Sequence, residues 1–261
     1  MSRTAAPQSV LITGATGGIG GALAFAYAAP GVQLFLQGRN ATKLAELSSR
    51  CTAAGATVNT SAIDVRERNA LRGWLHAAEQ QVRLDLVIVC AGININIGAD
   101  GAGERWQDTE ALIDINITAA MATVDAVLPA MRARGQGQIA LFSSLAAYHG
   151  LPITPSYSAS KAAIKAYGEA LRGWLAPEGV RVNVVMPGFV ESQMCNEFPG
   201  PKPLLWSADK AARYIKRGLA ANQARISFPF PLNLGSWYLG VAPAAFAQKL
   251  VSWFNFSKHS G

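Results

Sequence analysis

Short runs of aliphatic residues alternate with longer segments of helical periodicity along most of the chain. Runs such as LDLVIVC and VRVNVVM are apolar at nearly every position. That pattern is typical of strands in a parallel sheet that is covered by helices on both faces. Seven strands are predicted, at residues 9–13, 32–37, 57–63, 84–90, 137–142, 180–186 and 225–228.

Helices are predicted between these strands, at residues 18–29, 41–54, 67–81, 109–134, 157–176 and 208–221. The alternation of strand and helix indicates βαβ units, and right-handed crossovers between them give a Rossmann-type, doubly wound α/β fold. The sheet is expected to be mostly parallel and seven-stranded. Because no linker or repeat interrupts the series, residues 1–228 are predicted to form a single domain, followed by a C-terminal extension.

The composition supports a folded domain and argues against several other classes of protein. The 261 residues are 50% hydrophobic and 15% charged, which is not the composition of a disordered chain. Cys51, Cys90 and Cys195 and three distant histidines lack metal-ligand spacing, so neither a disulfide framework nor a metal site is predicted. No uninterrupted apolar run reaches the ~18 to 20 residues of a membrane span, and a cytoplasmic protein is expected.

The net charge of +7 is concentrated towards the C-terminal end of the chain. Residues 1–199 carry 15 basic and 15 acidic side chains, whereas residues 200–261 carry 8 and 1. Nucleic acid is not an expected partner, because no recognition motif accompanies this charge. Residues 229–261 are also rich in aromatic residues, and the apolar face of a helix is predicted at Phe246, Leu250, Trp253 and Phe254.

A glycine-rich turn, TGATGGIG, joins the first predicted strand to the first predicted helix. Glycine lets the backbone approach a pyrophosphate closely, and the free N–H groups at the helix N-terminus attract phosphate. The turn therefore predicts dinucleotide binding, although any tight strand-to-helix turn favours glycine. The candidate cofactor-binding residues of this turn are Gly14, Thr16, Gly18 and Ile19.

The end of the second predicted strand bears on which dinucleotide binds. NAD-preferring folds place a carboxylate there to bind the adenosine ribose, but this chain has Gly38 followed by Arg39. A guanidinium pairs with a 2′-phosphate, so NADP(H) is predicted to be preferred over NAD(H). A surface arginine in a turn is the alternative. Asp64 and Val65, after the third strand, are expected to border the adenine, and Asp64 could instead cap a helix.

Tyr157 and Lys161, in the sequence YSASK, stand four residues apart on a predicted helix and therefore project from one face. Ser144 lies 13 residues before Tyr157, just past a buried strand, where its hydroxyl can point above the carboxyl edge of the sheet. Asn116 lies within the long predicted helix. Each of these features also has a purely structural explanation. Tyr157 and Lys161 could be a pair on the helix surface, Ser144 could cap the end of a strand, and Asn116 could be an amide that packs the helix.

Taken together, these motifs resemble the short-chain dehydrogenase/reductase family over roughly residues 8–195. TGATGGIG is similar to the family's TGxxxGxG turn, YSASK to its YxxxK motif, and PGFVES to the PGxxxT segment that holds the nicotinamide carboxamide. In the stretch VCAG, Cys90 stands where the family has asparagine, and Ser192 stands where it has threonine. The resemblance adds these candidate cofactor-binding residues: Ala91, Gly92, Tyr157, Lys161, Pro187, Gly188, Val190 and Ser192.

The resemblance implies an NADP(H)-dependent oxidoreductase that transfers a hydride between nicotinamide and a carbonyl or secondary alcohol. Tyr157 is then the general acid/base, and Lys161 and the oxidised nicotinamide both favour its phenolate. Ser144 would position the substrate oxygen, Lys161 would hold the nicotinamide ribose, and Asn116 would anchor a water that links Lys161 to solvent. A homodimer or homotetramer is expected, with residues 195–221 covering the substrate.

Two alternative functions remain open on the sequence. One is an epimerase- or dehydratase-like enzyme of nucleotide-sugar and polysaccharide biosynthesis, and the other is a membrane-associated reductase of lipid or steroid-type ketones. The tail FPFPLNLGSWYLG is loosely similar to tails of bacterial reductases in polysaccharide or lipid pathways. Residues 229–261 are not expected to be an independent domain; an oligomer interface, a pocket cover and peripheral contact with the inner face of the membrane are all compatible with them.

Overall fold

The seven strands lie side by side in one parallel sheet. The computed structural model describes residues 6–98 and 100–253. The strands are β1 (Ser9–Thr13), β2 (Gln33–Gln37), β3 (Thr57–Ser61), β4 (Leu86–Val89), β5 (Gly137–Phe142), β6 (Val180–Pro187) and β7 (Arg225–Phe228). Their order is β3-β2-β1-β4-β5-β6-β7, with parallel pairing between neighbours. The predicted Rossmann-type, doubly wound fold is confirmed.

Helices cover both faces of this sheet. They are α1 (Gly18–Tyr27), α2 (Ala41–Ala53), α3 (Arg68–Gln81), α4 (Trp106–Ile113), α5 (Ala119–Ala133), α6 (Pro155–Leu175), α7 (Gln193–Asn196), α8 (Ala208–Ala220), α9 (Leu232–Val241) and α10 (Ala244–Trp253). A short 3-10 turn, Leu145–Ala147, follows β5. Side chains of α1, α2 and α8 fill the core on one face of the sheet, and side chains of α3, α5 and α6 fill the core on the other.

The long helix predicted at residues 109–134 is interrupted by a π-helical turn, Asp114–Thr118, between α4 and α5. A π-helical turn inserts an extra residue and often occurs at functional sites. This turn buries Asn116, whose amide bonds to the backbone of Ile93 beyond the end of β4. Helical periodicity does not reveal the insertion, because the residues on both sides of Asn116 are isoleucines.

Within the described residues, the helical stretch 106–133 is long and apolar enough to cross a membrane, judged by length and composition. Half of its most apolar window is buried inside the protein. Val124, Val127 and Met131 of α5 are part of the core on the α6 side of the sheet. The stretch therefore packs as a core helix. A search for an uninterrupted apolar run does not identify it, because Asp114 and other polar residues interrupt the run.

Residues 229–253 continue beyond the edge strand β7 and include two helices. The pattern of apolar residues in the sequence does not predict α9. In α10, Ala247 and Val251 are buried and Phe246 is half exposed, so the packed face lies one residue further along the helix than the predicted one. Phe254 and the side chain of Trp253, which belong to that predicted face, lie outside the described residues.

The distance between α6 and the sheet is set by a glycine. A Cβ at Gly168 would lie 2.7 Å from Val184 Cγ2 on β6 and 3.1 Å from Leu141 Cδ1 on β5. Both neighbours are branched side chains in the core, so they have little room to move. Because α6 also carries Tyr157 and Lys161, this close approach places both side chains relative to the carboxyl edge of the sheet.

We expect Gly168→Ala to lower the free energy of unfolding by about 1–3 kcal/mol, because the added methyl group pushes α6 away from the sheet. Gly173→Ala, on the exposed side of the same helix with no atom within 4 Å of the added Cβ, should instead stabilise by up to about 1 kcal/mol. Urea unfolding of both variants measures the difference. Equal effects of the two substitutions would show that the close approach of Gly168 to β5 and β6 does not constrain α6.

Candidate active site

The glycine-rich turn is held against the end of β4 by a contact that has no room for a side chain. Gly14 has φ +71°, and a Cβ there would lie 2.7 Å from the backbone of Ala91. Thr13 Oγ1 accepts hydrogen bonds from the backbone N–H groups of Cys90 and Ala91, over 3.2 and 3.4 Å. The turn and the VCAG stretch therefore form one continuous wall of a cleft.

Gln37 holds this turn from the other side, and the sequence analysis does not single it out. It ends β2 and is 2% exposed. Its Oε1 accepts from the Gly14 N–H over 3.0 Å, and its Nε2 donates to the Ile63 carbonyl over 2.6 Å. Gln37 thus ties the turn to the chain that follows β3. The available sequence signal is an amide at the end of an otherwise apolar strand.

The start of α1 contacts the segment that follows β6. A Cβ at Gly18 would lie 2.7 Å from the Glu191 carbonyl oxygen and 3.0 Å from Ser192 Cβ. The Ser192 hydroxyl donates to the Val190 carbonyl over 3.2 Å and accepts from the Cys195 N–H over 3.1 Å, which caps α7. The N-terminus of α1 therefore lies between this segment and the VCAG wall.

A cleft of about 1090 Å³ opens along the carboxyl edge of the sheet. Predicted cofactor-binding residues that line it are Gly14, Thr16, Gly18, Ile19, Arg39, Asp64, Val65, Ala91, Gly92, Tyr157, Lys161, Pro187 and Ser192. Two others lie behind its surface, since Gly188 packs against Leu145 and Pro229 and the Val190 side chain is buried in the core. Further lining residues that the sequence analysis does not single out are Lys43, Asn94, Asn96 and Met194.

Tyr157 and Lys161 lie on α6 at this cleft, as their spacing predicts. Lys161 is 6% exposed, its Nζ donates to the Phe142 carbonyl over 3.1 Å, and Nζ lies 5.5 Å from the centre of the Tyr157 ring. The Ser144 hydroxyl lies close enough to the Tyr157 phenol to lower its pKa. Strand β5 and helix α6 thus bring two hydroxyls and one amine together at one place.

Asn116 is buried beside this group. Its Oδ1 accepts from the Ile93 N–H over 2.8 Å, and its Nδ2 donates to the Ile93 carbonyl over 2.9 Å and to Ser160 Oγ over 3.1 Å. A Cβ at Gly92 would lie 3.2 Å from Asn116 Oδ1 and 3.3 Å from Lys161 Nζ. Asn116 therefore fixes the backbone just after β4, next to the buried amine.

Burial dominates the protonation of this group. Lost hydration raises the pKa of Tyr157 to about 12, although Ser144 acts to lower it. Lost hydration also lowers the pKa of Lys161 to about 8. Cys90 is partly buried, and lost hydration raises the pKa of its thiol to about 12. These groups alone do not favour a Tyr157 phenolate near neutral pH, because the loss of hydration outweighs the effect of the Ser144 hydroxyl on the phenol.

Arg39 lines the cleft just after β2. Its side chain is 61% exposed, and its Nη1 lies 4.0 Å from Asp64 Oδ2. The Arg66 guanidinium donates to both Asp64 oxygens, over 3.1 and 2.7 Å, and this pairing lowers the pKa of the carboxyl. Asp64 also accepts from the Arg66 backbone N–H over 2.9 Å, so it caps a turn and lines the cleft at once. Because Arg66 already neutralises Asp64, Arg39 retains donors for an anionic ligand.

A sequence profile described as short chain dehydrogenase matches residues 8–201. The chain belongs to the short-chain dehydrogenase/reductase family. An uncharacterized oxidoreductase from Myxococcus xanthus (strain DK1622) is 35% identical to it over 237 residues, which cover 90% of this chain and 93% of the relative. This short-chain dehydrogenase/reductase is thus an oxidoreductase, and the resemblance predicted from its motifs is confirmed.

Solved structures share the fold of this short-chain dehydrogenase/reductase. A short-chain dehydrogenase from Sphingobium yanoikuyae in complex with NADPH has a TM-score of 0.79 at 24% identity, covering 94% of this chain and 95% of that one. A short chain dehydrogenase from Mycobacterium paratuberculosis bound to NAD has a TM-score of 0.72 at 24% identity, covering 84% and 94%. The two structures hold different nicotinamide dinucleotides.

The cleft of this short-chain dehydrogenase/reductase fits a nicotinamide dinucleotide. The N-cap of α1 is Gly17, and no side chain caps the first turn, so the N–H groups of Gly18 and Ile19 are available to a phosphate. The cleft continues from this helix end to Tyr157 and Lys161 in one direction and to Arg39 in the other. A dinucleotide would supply hydride chemistry at the first of these ends.

The low pKa of Lys161 predicts how stability depends on pH. The unfolded chain keeps this amine charged up to about pH 10.5, whereas the folded chain releases its proton near pH 8. Between these values the unfolded chain binds the extra proton, so the contribution of Lys161 to the free energy of unfolding rises with pH. The full shift corresponds to about 3 kcal/mol.

Lys161→Met removes the buried amine at nearly constant volume. We expect the variant to gain stability relative to the wild type by up to about 3 kcal/mol at pH 7, and this gain to shrink as pH rises from 8 to 10. Urea unfolding of both proteins at pH 7, 8.5 and 10 measures the trend. A difference that stays constant over this range would contradict the burial of a costly charge.

Proposed function

We propose that this enzyme is an NADP(H)-dependent carbonyl reductase, acting in reverse as a secondary alcohol dehydrogenase, with Tyr157 as its general acid/base. The observation that carries the proposal is the position of Tyr157 at the cleft, beside the buried Lys161 and close enough to the Ser144 hydroxyl for Ser144 to lower its pKa. The nicotinamide supplies or accepts the hydride when it is bound. The two hydroxyls then bind the oxygen of a small carbonyl or alcohol substrate.

In this proposal, Tyr157 donates a proton to the substrate oxygen or accepts one from it. Burial keeps its phenol protonated, which is the form that donates a proton to the oxygen as a carbonyl is reduced. The Ser144 hydroxyl holds that oxygen in line and favours the charge that develops on it. In the oxidative direction the same phenol oxygen must accept a proton, and a positive charge near the ring would favour its phenolate.

Two further residues support this pair. Lys161 lies one helical turn from Tyr157 with an Nζ that makes one bond to the Phe142 carbonyl, which leaves donors for the ribose hydroxyls of the nicotinamide nucleotide. Asn116 holds the Ile93 backbone beside Lys161, and a water bound at this amide would connect the amine to solvent. In the proposal, Lys161 and Asn116 position groups and move protons.

The preference for NADP(H) over NAD(H) rests on Arg39. The end of β2 offers its guanidinium at the cleft and no carboxylate, and Arg66 neutralises the nearby Asp64. A 2′-phosphate would be attracted to this guanidinium, and the neighbouring Asp64 is already paired. Relatives of known structure hold either dinucleotide, so the preference is argued from this chain's own charges.

The alternative of an epimerase- or dehydratase-like enzyme is not favoured, because the matching profile is that of dehydrogenases and the Myxococcus relative is named an oxidoreductase. We propose that residues 1–228 act as one domain. In it residues 195–221 cover the substrate, with Glu197 at the cleft. Residues 229–261 form an extension, whose helix α9 contacts β7 and the turn that follows β5.

We place the enzyme in the cytoplasm as a homodimer or homotetramer. The outer side of the extension carries exposed apolar side chains that suit an interface: Phe230, Leu234, Trp237, Tyr238 and Val241. Peripheral contact with the inner face of the membrane, in the manner of a lipid or steroid-type ketone reductase, is the alternative use of the same side chains. Sedimentation of the free enzyme, compared with flotation on anionic liposomes, separates the two.

Tyr157→Phe should lower the rate of NADPH oxidation with a panel of ketones by about 100-fold or more, because the proton donor is lost. Binding of NADPH, followed by its fluorescence, should stay within about twofold of the wild type. Tyr167→Phe, which removes a phenol oxygen from the same helix away from the cleft, is the matched control and should retain activity. A Tyr157→Phe enzyme with the wild-type rate would refute the assignment of the acid.

Arg39→Ala should raise the KM for NADPH by about 10- to 100-fold, as expected for loss of a hydrogen bond to a charged group. The KM for NADH should stay nearly unchanged, since NADH has no 2′-phosphate. Arg83→Ala, an exposed arginine outside the cleft, is the control. Equal changes in KM for the two dinucleotides would show that Arg39 does not select between them.

A further inference from the structure

The extension returns to the protein at the two segments that flank the Tyr157–Ser144 contact. We define the α9 segment as residues 229–241, which include helix α9. One flanking segment is the end of β6 with Gly188, and the other is the turn Ser144–Tyr148 that follows β5. The α9 segment contacts both, although it lies about 80 residues further along the chain than the turn.

The first contact is at Gly188. A Cβ there would lie 3.0 Å from Pro229 Cδ, 3.1 Å from Leu232 Cδ2 and 3.3 Å from Leu145 Cδ1. Leu232 also packs on the small apolar cluster that contains Leu145. The Leu232 side chain is therefore lodged between the segment after β6 and the first residue after Ser144.

The second contact is at the other end of α9. A Cβ at Gly240 would lie 2.7 Å from the Tyr148 carbonyl oxygen, so the helix backbone rests directly against the end of the turn. The helix itself is anchored at its start, where Asn233 Nδ2 donates to the Ser227 carbonyl at β7 over 3.1 Å. One anchored helix thus holds both ends of the turn that begins with Ser144.

Ser144 has little else to hold its hydroxyl in place. Its Oγ lies 3.5 Å from the Pro187 carbonyl, which is long for an O–H···O hydrogen bond, and accepts from the Ala146 N–H within its own turn over 3.1 Å. The direction of this hydroxyl therefore follows the backbone of the turn. Whatever holds the turn sets how Ser144 meets Tyr157.

We propose that the α9 segment positions Ser144, with Leu232 and Gly240 as the positioning residues. Leu232 keeps Leu145 against Gly188, and Gly240 lets the helix lie close enough to hold Tyr148. The extension is then a part of the catalytic apparatus that acts through Ser144 and touches neither substrate nor cofactor. This inference rests on the proposed roles of Ser144 and Tyr157.

A double-mutant cycle tests this. Leu232→Ala should lower kcat by about 10-fold or more through a misplaced hydroxyl, with the KM for NADPH within about twofold. In a Ser144→Ala background, the same substitution should lower kcat no further, because the group it positions is already gone. Leu232→Met should restore most of kcat.

Two glycines of α9 provide a second test. Unlike Leu232→Ala, their substitution creates no cavity. Gly240→Ala should lower kcat in the same Ser144-dependent way, because its methyl group displaces the Tyr148 carbonyl. Gly235→Ala, on the same helix with no atom within 4 Å of the added Cβ, should have no effect. This pair decides the question if Leu232→Ala does not fold.

The outcomes separate this inference from the proposed function. If Ser144→Ala alone retains the wild-type kcat, the proposed function fails. If Ser144→Ala is impaired and Leu232→Ala or Gly240→Ala lowers kcat by the same factor in both backgrounds, the α9 segment does not act through Ser144 and this inference is overturned. Wild-type kcat in both Leu232→Ala and Gly240→Ala would overturn it as well.

Discussion

The arrangement of this enzyme depends on keeping water away from a phenol and an amine that share one side of a helix. At the carboxyl edge of the sheet Lys161 is buried and Tyr157 is partly buried, and the loss of hydration opposes the charged form of each. That environment holds the phenol as a proton donor and leaves the amine close to its point of ionisation. The surrounding strands and turns exclude water by placing backbone atoms, and not charged side chains, close to Tyr157 and Lys161.

Glycine contacts explain how the backbone comes so close. Gly14 lies against Ala91, Gly92 faces the Asn116 amide and Lys161 Nζ, and Gly168 lies against β6. At each of these positions an added Cβ would meet a neighbour at 3.3 Å or less. The cleft therefore has walls of main chain, which suits a ligand that offers phosphates and a flat ring to N–H and carbonyl groups.

The sequence predicts well whatever local pattern determines. All seven strands lie within a few residues of their predicted limits, and the central strands are apolar at nearly every position because helices cover both of their faces. The pairing of Tyr157 with Lys161 follows from helical spacing alone. Most of the predicted cofactor-binding residues line the cleft for a related reason, since the ends of parallel strands meet at one edge of a sheet.

What the sequence does not predict depends on contacts between distant segments. The π-helical turn places Asn116 against Ile93, which lies earlier in the chain, and Gln37 acts through its bonds to Gly14 and Ile63. The α9 segment has no charge pattern or periodicity that points to the Ser144 turn. The protonation of Tyr157 also escapes sequence reasoning, because spacing reveals the amine nearby but not the loss of hydration.

The ionisation of Tyr157 in the free enzyme is the measurement that tests this account most directly. Enzyme carrying tyrosine labelled with carbon-13 at Cζ can be titrated by NMR, with Tyr157→Phe identifying the resonance. The account predicts a Tyr157 phenol that stays protonated through about pH 10, above its ordinary range. A Tyr157 resonance that titrates near pH 7 without any ligand would contradict the claim that burial governs this site.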